Sequence, residues 1–473
     1  MLYFKGMKPH PNRNNWWSLL KKAFRGEAHD YTQGNLSQAI FLLAVPMVFE
    51  MLMESIFALV DIYYVSQVST NAVATVGLTE SVITLIYAVA VGISMAATAL
   101  VARRIGEGDA EGAKNAASQV IYLGIGVSVI FSIIGIYFAK DILSLMHAAP
   151  DLIEEGYAYT QILIGGNVTI VLLFLINAIF RGAGNAAYAM WVLVVSNSLN
   201  IVLDPLFIFG WGPIPKMGVK GAAVATTLGR GTAVVMQLIL LWLGKSRVQL
   251  AWQHLKLQWQ IVSKLIRLSW GGIGQFLIGT SSWVFLMRIM SEFGSEVLAG
   301  YTIAIRILMF SLMPAWGLSN AAATLVGQNL GAHAPDRAER AVWQTGKYNA
   351  LFMGLVSLLS IFYAPTIVGF FATDSFIIDT ASLCLRVFAS GYVFYAFGMV
   401  MIQSFNGAGD TQTPTYINFF CFWLFQIPFA YFTALHLEWG ILGVLVAIVL
   451  SEILLTLISG YLFRRGHWKN TQV

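Results

Sequence analysis

The stretch PMVFEMLMESIFALVDIYYV, Pro46 to Val65, decides the fold. It is apolar enough to sit in lipid, yet it carries Glu50, Glu54 and Asp61. Their spacings are four and seven residues. At roughly 100° per residue, all three fall within an arc of about 40° on one helix face. A carboxylate deep in a bilayer is costly unless it meets a polar cavity, a partner or a cation. This face is therefore expected to line a polar cavity rather than lipid.

The rest of the chain agrees with a membrane reading. Of 473 residues, 58% are hydrophobic and 11% charged. Soluble domains carry about twice that charge. Mean hydropathy is +0.71. Apolar runs of spanning length recur from residue 37 to residue 463. The expected fold is all-α: a polytopic membrane protein of twelve transmembrane helices. The spans are placed near 37–66, 72–102, 115–139, 157–181, 186–211, 218–243, 262–290, 297–326, 341–371, 380–406, 414–436 and 440–463. Met1 to Gly6 (MLYFKG) reads as a tag remnant, and no cleavable signal peptide precedes the first span. Residues 7–36 are polar and basic. Within them WWSLLKKAFR, Trp16 to Arg25, is either a short amphipathic helix at the headgroup level or a floppy tail.

Lys and Arg set the orientation. Lys8, Arg13, Lys21, Lys22 and Arg25 share one side with Arg103, Arg104, Lys114, Arg181 and the basic stretch 245–267. Arg337, Arg340, Lys347, Arg464, Arg465 and Lys469 join them. The opposite loops hold Lys140, Lys216 and Lys220. Both termini are expected in the cytoplasm, and the net charge of +5 reads as topology, not nucleic-acid binding. Cys384 and Cys421 both lie in apolar runs and give no disulfide framework.

An internal repeat divides the chain. Leu100-Val101-Ala102-Arg103-Arg104-Ile105-Gly106 matches Leu325-Val326-Gly327-Gln328-Asn329-Leu330-Gly331, 225 residues later. Phe180-Arg181-Gly182-Ala183-Gly184-Asn185 matches Phe405-Asn406-Gly407-Ala408-Gly409-Asp410 at the same offset. Six spans separate each pair, so the two six-helix bundles are expected to be related by a pseudo-two-fold axis along the membrane normal. The expected division is a basic N-terminal segment (1–36), an N-lobe (37–243), a linker (244–261), a C-lobe (262–463) and a cytoplasmic tail (464–473).

The repeat is also a control. At this offset Asp61 faces Leu286, Asn200 faces Phe425 and Asp204 faces Phe429. Gly218-Val219-Lys220-Gly221 aligns with Gly440-Ile441-Leu442-Gly443, which puts Thr226 opposite Ile448. The second half folds with apolar residues at all four places. The scaffold does not need those polar groups, and the functional acids and amides are expected in the N-terminal half alone.

Asn200 and Asp204 are four apart and share a face. Hard alkali cations take oxygen ligands. Asp61, Asn200, Asp204, Thr226 and the carbonyl of Ala222 would supply such a set. Two facing carboxylates can equally share a proton, and an Asp–Asn network gluing helices together is the structural alternative. Glu50 and Glu54 either serve the cavity or are neutralised by an arginine such as Arg230 or Arg306. Gln275, Tyr392, Tyr395 and Gln403 are the polar positions that would line a second-half cavity. No hydrolase motif, metal triad or Walker loop appears, so neither an enzyme nor an ATP-driven pump is expected, and no cofactor or metal.

The chain resembles a known family. VPMVFEMLMESIFALVDIYYVSQVSTNAVATVGL looks like the first-helix signature of multidrug and toxic compound extrusion (MATE) transporters. ALVARRIGEGD, FRGAGNAAYAM, LNIVLDPLFIFGWG, GVKGAAVATTLGR, TLVGQNLGA and FNGAGDTQTP resemble the family in succession. The resemblance covers nearly all of residues 37–463. It implies a two-lobe antiporter of a bacterial inner membrane, working as a monomer. Such a transporter would export cationic or amphipathic drugs against an H+ or Na+ gradient. The family's N-lobe cation motif falls on Asp61, Asn200, Asp204 and Thr226. One branch carries a proline and, about eight residues on, an acid in span seven. Here Trp270 and Ile278 stand in those places, which puts the chain nearer the DNA-damage-inducible (DinF-like) branch and argues against a C-lobe cation site. The competing reading is a lipid-linked glycan flippase of the same superfamily, which would want a cavity rich in Arg and Lys.

Overall fold

The computed structural model describes residues 16–26 and 29–472. The tag-like Met1–Gly6 stretch, Lys8 and Arg13 lie outside the described residues. The chain is helical throughout. An amphipathic α1 (Trp16–Arg25) precedes α2 (Leu36–Ser66), α3 (Thr70–Gly106), α4 (Ala110–Leu145), α5 (Pro150–Gly165) and α6 (Val168–Gly182). The first half closes with α7 (Ala186–Pro205) and α8 (Val219–Trp242). The second half holds α9 (Trp259–Met290), α10 (Ser295–Gly331), α11 (Pro335–Phe362), α12 (Ala364–Gly369), α13 (Ser375–Ser390) and α14 (Tyr392–Ala408). It ends with α15 (Gln412–Asn418), α16 (Ile427–Tyr431) and α17 (Ile441–Arg465).

Ten helical spans among the described residues are long and apolar enough to cross a membrane. The bent pair α13–α14, turned by 53°, makes an eleventh. The twelfth is α11, whose first three turns (PDRAERAVWQTGK) are too polar to register as lipid-soluble although the helix runs 28 residues. Two spans expected to be continuous are broken. The fourth breaks between Gly165 and Val168 and the tenth at Gly391. Gly166 and Gly391 are equivalent in the repeat, so the break belongs to the fold rather than to either half. Wide π-turns follow Pro205 at 206–210 and flank Pro428 at 419–426 and 432–436, where proline withdraws a backbone donor.

The backbone confirms the repeat. Gly218 holds φ 59°, ψ −139°, and Gly440 holds φ 58°, ψ −138°. Only glycine adopts that conformation without strain, so both lobes start their last helix from the same turn. One large apolar core fills the N-terminal half and a second fills the C-terminal half.

The lobes meet at the end of the molecule that carries the basic residues. A Cβ on Gly106 would collide with the carbonyl of Gln328, and one on Gly331 with that of Arg103. Gly106 and Gly331 are repeat mates, and so are Arg103 and Gln328. The contact is thus made twice, once from each lobe, about a two-fold axis. A second such pair lies deeper: Gly92 against Ile273, and Gly317 against Met47 and Val48.

A strap crosses this sealed end. Tyr31, 3% exposed, donates to the carbonyl of Gly184 at 3.1 Å. From the other lobe, Arg337 donates to the carbonyls of Gln33 (2.7 Å) and Gly34 (3.0 Å). Trp191 donates to the carbonyl of Phe24 at 2.8 Å, which ties down α1 as a helix rather than a loose tail.

Candidate functional site

The amphipathic design of α2 is read directly from its exposure. Leu52, Ile56, Leu59 and Tyr63 are exposed and share one helix face. At roughly 100° per residue that face is diametrically opposite the one carrying Glu50, Glu54 and Asp61. The apolar stripe faces outward and the acids face the protein.

Each acid meets a different neighbour. Glu50, 1% exposed, is paired with Arg181 of α6, Oε1 to Nη1 at 2.7 Å. Asn177, one turn earlier on α6, donates to the same oxygen at 3.2 Å. Gln237 of α8 in turn donates to Asn177 Oδ1 at 2.7 Å. Glu54 accepts from Asn197 of α7 at 3.3 Å. Glu54 and Asp61 both lie within the electrostatic reach of Arg230 on α8, which donates to the Tyr87 hydroxyl at 3.1 Å. Of the two arginines expected, Arg230 lies toward Glu54, and the partner of Glu50 is a third. It is Arg181, which the sequence reading assigned to a loop, while Arg306 lies exposed.

The five residues proposed as a cation site lie near the C-terminal ends of α2 and α7 and the start of α8, away from the sealed end. Asn200 and Thr226 are buried, with the amide 3.2 Å from Thr226 Oγ1. With its nitrogen turned to Asp204, Asn200 donates to Asp204 Oδ2 at 2.8 Å and accepts from Thr226 Oγ1 and its backbone N–H at 3.2 and 3.0 Å. Asp204 is fully buried, and its charge is within reach of Asp61. Oδ1 of each aspartate is buried without a hydrogen-bond partner. Ala222 is buried one turn before Thr226 on α8. Buried polar atoms are almost always satisfied, so two orphaned carboxylate oxygens suit a proton or a small hard cation.

Two cavities lie between the lobes. The first, of about 120 Å³, is lined by Glu50, Glu54, Asn177 and Arg181 from one lobe and by Asn320 and Gln403 from the other. The second, of about 430 Å³, is lined mostly by the C-lobe, including Gln275, Tyr395 and Gln403. Val91, Met95, Trp316 and Gln403 belong to both walls. Of the cavity residues proposed from sequence, only Tyr392 lines neither. It is fully buried in the C-lobe core, edge-on to Tyr395 with ring centres 6.4 Å apart.

The repeat control holds at its four positions. Leu286 and Ile448 are buried in the C-lobe core, Phe429 packs against it, and Phe425 stacks on Phe429 at 5.2 Å. Its broader conclusion needs correction, because the C-lobe is not free of buried polar groups. Glu452 of α17 is 9% exposed and faces the second cavity. Counted from Gly218 and Gly440, it stands where the N-lobe has Arg230. Gln275 and Asn406, the mates of Glu50 and Arg181, bond to each other through both amides at 2.9 and 3.0 Å. Reading the alignment from the C-lobe back to the N-lobe exposes both substitutions.

The comparisons with known proteins agree with this architecture. A family model described as MatE matches residues 46–206 and 273–432, one stretch in each half. The chain is similar to a probable multidrug resistance protein NorM of Thermotoga maritima, 27% identical over 445 residues, covering 93% of this chain and 94% of that one. It is also similar to a FAD transporter of Shewanella oneidensis, 23% identical, covering 93% and 97%. Among solved structures it resembles an outward-facing conformation of a multidrug resistance MATE family transporter, with TM-score 0.87, 27% identity and coverage of 93% and 98%. Two matched halves, twelve spans and the shared lobe arrangement give one conclusion: the chain is a membrane transporter, not an enzyme, and belongs to the MatE (multidrug and toxic compound extrusion) family.

Proposed function

We propose that this transporter is an efflux antiporter that exports cationic or amphipathic small molecules in exchange for H+ or Na+. The observation that carries this reading is the Asp61–Asp204 pair, with one unsatisfied buried oxygen on each carboxylate and Asn200–Thr226 holding Asp204 in place. Arg230 lies toward Asp61, but no basic group reaches Asp204 among the described residues, so the two buried acids still repel. A proton or a cation between them removes that repulsion and draws α2 toward α7 and α8. Emptying the site releases α2. Because α2 also carries Glu50 and Glu54 on the cavity wall, its position sets the shape of the first cavity. Cation and drug then bind with opposite preference for the two arrangements, which is the linkage an antiporter needs.

The basic ends lie in the cytoplasm by the Lys and Arg bias, so the sealed end faces the cytoplasm. The relatives named for multidrug resistance support the drug class, and the FAD transporter marks an anionic alternative within the family. A lipid-linked glycan flippase would need free cations to grip a pyrophosphate. Arg181 is instead spent on Glu50, and Arg230 is shared among Tyr87, Glu54 and Asp61.

The test is ethidium efflux from vesicles under imposed gradients. Transport driven by a pH gradient alone assigns H+, and transport driven by a sodium gradient alone assigns Na+. Equal efflux with neither gradient would overturn the coupling.

A further inference from the structure

Glu452 has no counterpart to the arginine that serves the N-lobe acids. Arg230, its repeat mate, sits among Glu54, Asp61 and Tyr87 and supplies their counter-charge. At Glu452 the sign is reversed, and among the described residues no basic side chain approaches it. It is 91% buried by its 9% exposure, with no hydrogen bond or ion pair among the described residues. Two more oxygens of the same cavity are buried and unpartnered: the Tyr395 hydroxyl and Asn418 Oδ1. Tyr395 lies within electrostatic reach of Glu452. Gln275, by contrast, is fully used by Asn406 and the carbonyl of Thr411. The remaining wall is aromatic and thioether, with Trp283, Trp316, Phe276, Met309 and Met399.

We propose that the C-lobe cavity binds an organic cation, with Glu452 as its counter-charge and Tyr395 and Asn418 as its polar contacts. A buried carboxylate with no internal partner calls for an external one. The wall decides which. A bare alkali ion wants about six oxygens, whereas this wall offers one carboxylate with the oxygens of Tyr395, Asn418 and Thr280, in a cavity of about 430 Å³. Aromatic faces and thioethers suit a flat, polarizable cation instead. Drug-sized ligands occupy cavities of about 300–1,000 Å³, so the space suffices. The proposal deepens the efflux reading by giving its substrate a place, and it rests on that reading for the ligand being a transported one.

Binding to the purified full-length protein tests it without any gradient. Ethidium supplies the charge, and phenanthridine is its uncharged relative. Glu452→Gln should weaken ethidium binding at least about tenfold and leave phenanthridine unchanged. Binding is read without a gradient, so it can hold or fail whether or not Asp204 couples transport, and the two readings stay separable. A Glu452→Gln protein with wild-type ethidium affinity overturns the proposal. Should that variant fail to fold, the wild-type protein answers directly. Modification of Glu452 by dicyclohexylcarbodiimide, followed by mass spectrometry, should be slowed by ethidium and not by phenanthridine or sodium chloride. Protection by sodium chloride, or none by ethidium, refutes the organic-cation site.

Discussion

Glu50 and Arg181 form a buried ion pair, 2.7 Å from carboxylate to guanidinium, that fastens α2 to α6. The C-lobe makes the same contact without charge, between Gln275 and Asn406, fastening α9 to α14. One fold thus holds one joint in two chemistries. The neutral form shows that geometry alone can be satisfied by amides. The charged form places a carboxylate and a guanidinium on the wall of the first cavity.

Removing one partner of a buried ion pair strands the other. Glu50→Ala and Arg181→Ala should each destabilise the protein by roughly 3–5 kcal/mol. The double variant Glu50→Gln/Arg181→Asn, which copies the C-lobe pair, should recover most of that loss. Denaturant unfolding in detergent measures the three against wild type, and failure of the double variant to recover would place the fault elsewhere in the Asn177–Gln237 network.

The reciprocal glycine contacts should act as the seal of the basic end. Gly331→Val puts a branched side chain against the carbonyl of Arg103 and should favour the arrangement in which the lobes part there. Ala323→Cys, on the wall of the first cavity, reports this by its reaction with an impermeant thiol reagent added from the basic face. Cys384 and Cys421 are buried and give little background. Labelling should rise severalfold with Gly331→Val, and Gly106→Val should do the same from the other lobe.

The strap should be sensitive to pH through His29. Burial, and next the charge of Arg247, hold its imidazole below the usual 6.5. The undocked chain therefore takes up a proton before the docked one does. Docking is fully stabilised above the ordinary value and weakens as pH falls through the lowered one. Proteolysis within residues 29–35 should speed up between about pH 7 and pH 5, where His29 takes up its proton. His29→Gln should flatten that dependence.

Much of this was legible in the sequence. The repeat offset, the acid stripe and the polar set Asp61, Asn200, Asp204 and Thr226 all follow from spacing and hydropathy, because lipid makes each buried polar residue conspicuous. What escaped was pairing across helices. Arg181 ends its span and reads as a loop charge until the fold turns it back onto Glu50. Glu452 sits in an apolar helix, SEILLTLISG, and stands out only when the repeat is followed from the C-lobe back to the N-lobe. Tyr392 and Tyr395 look alike on the chain, yet the break at Gly391 sends one into the core and the other to the cavity. The broken spans themselves carry glycines that sequence alone does not distinguish from packing glycines.

The central claim is that the Asp61–Asp204 pair transduces the gradient. Ethidium efflux from proteoliposomes of Asp204→Asn, at matched protein content and under the gradient that drives the wild type, tests it most directly. The account predicts loss of gradient-driven efflux. Wild-type efflux rates in that variant would contradict it.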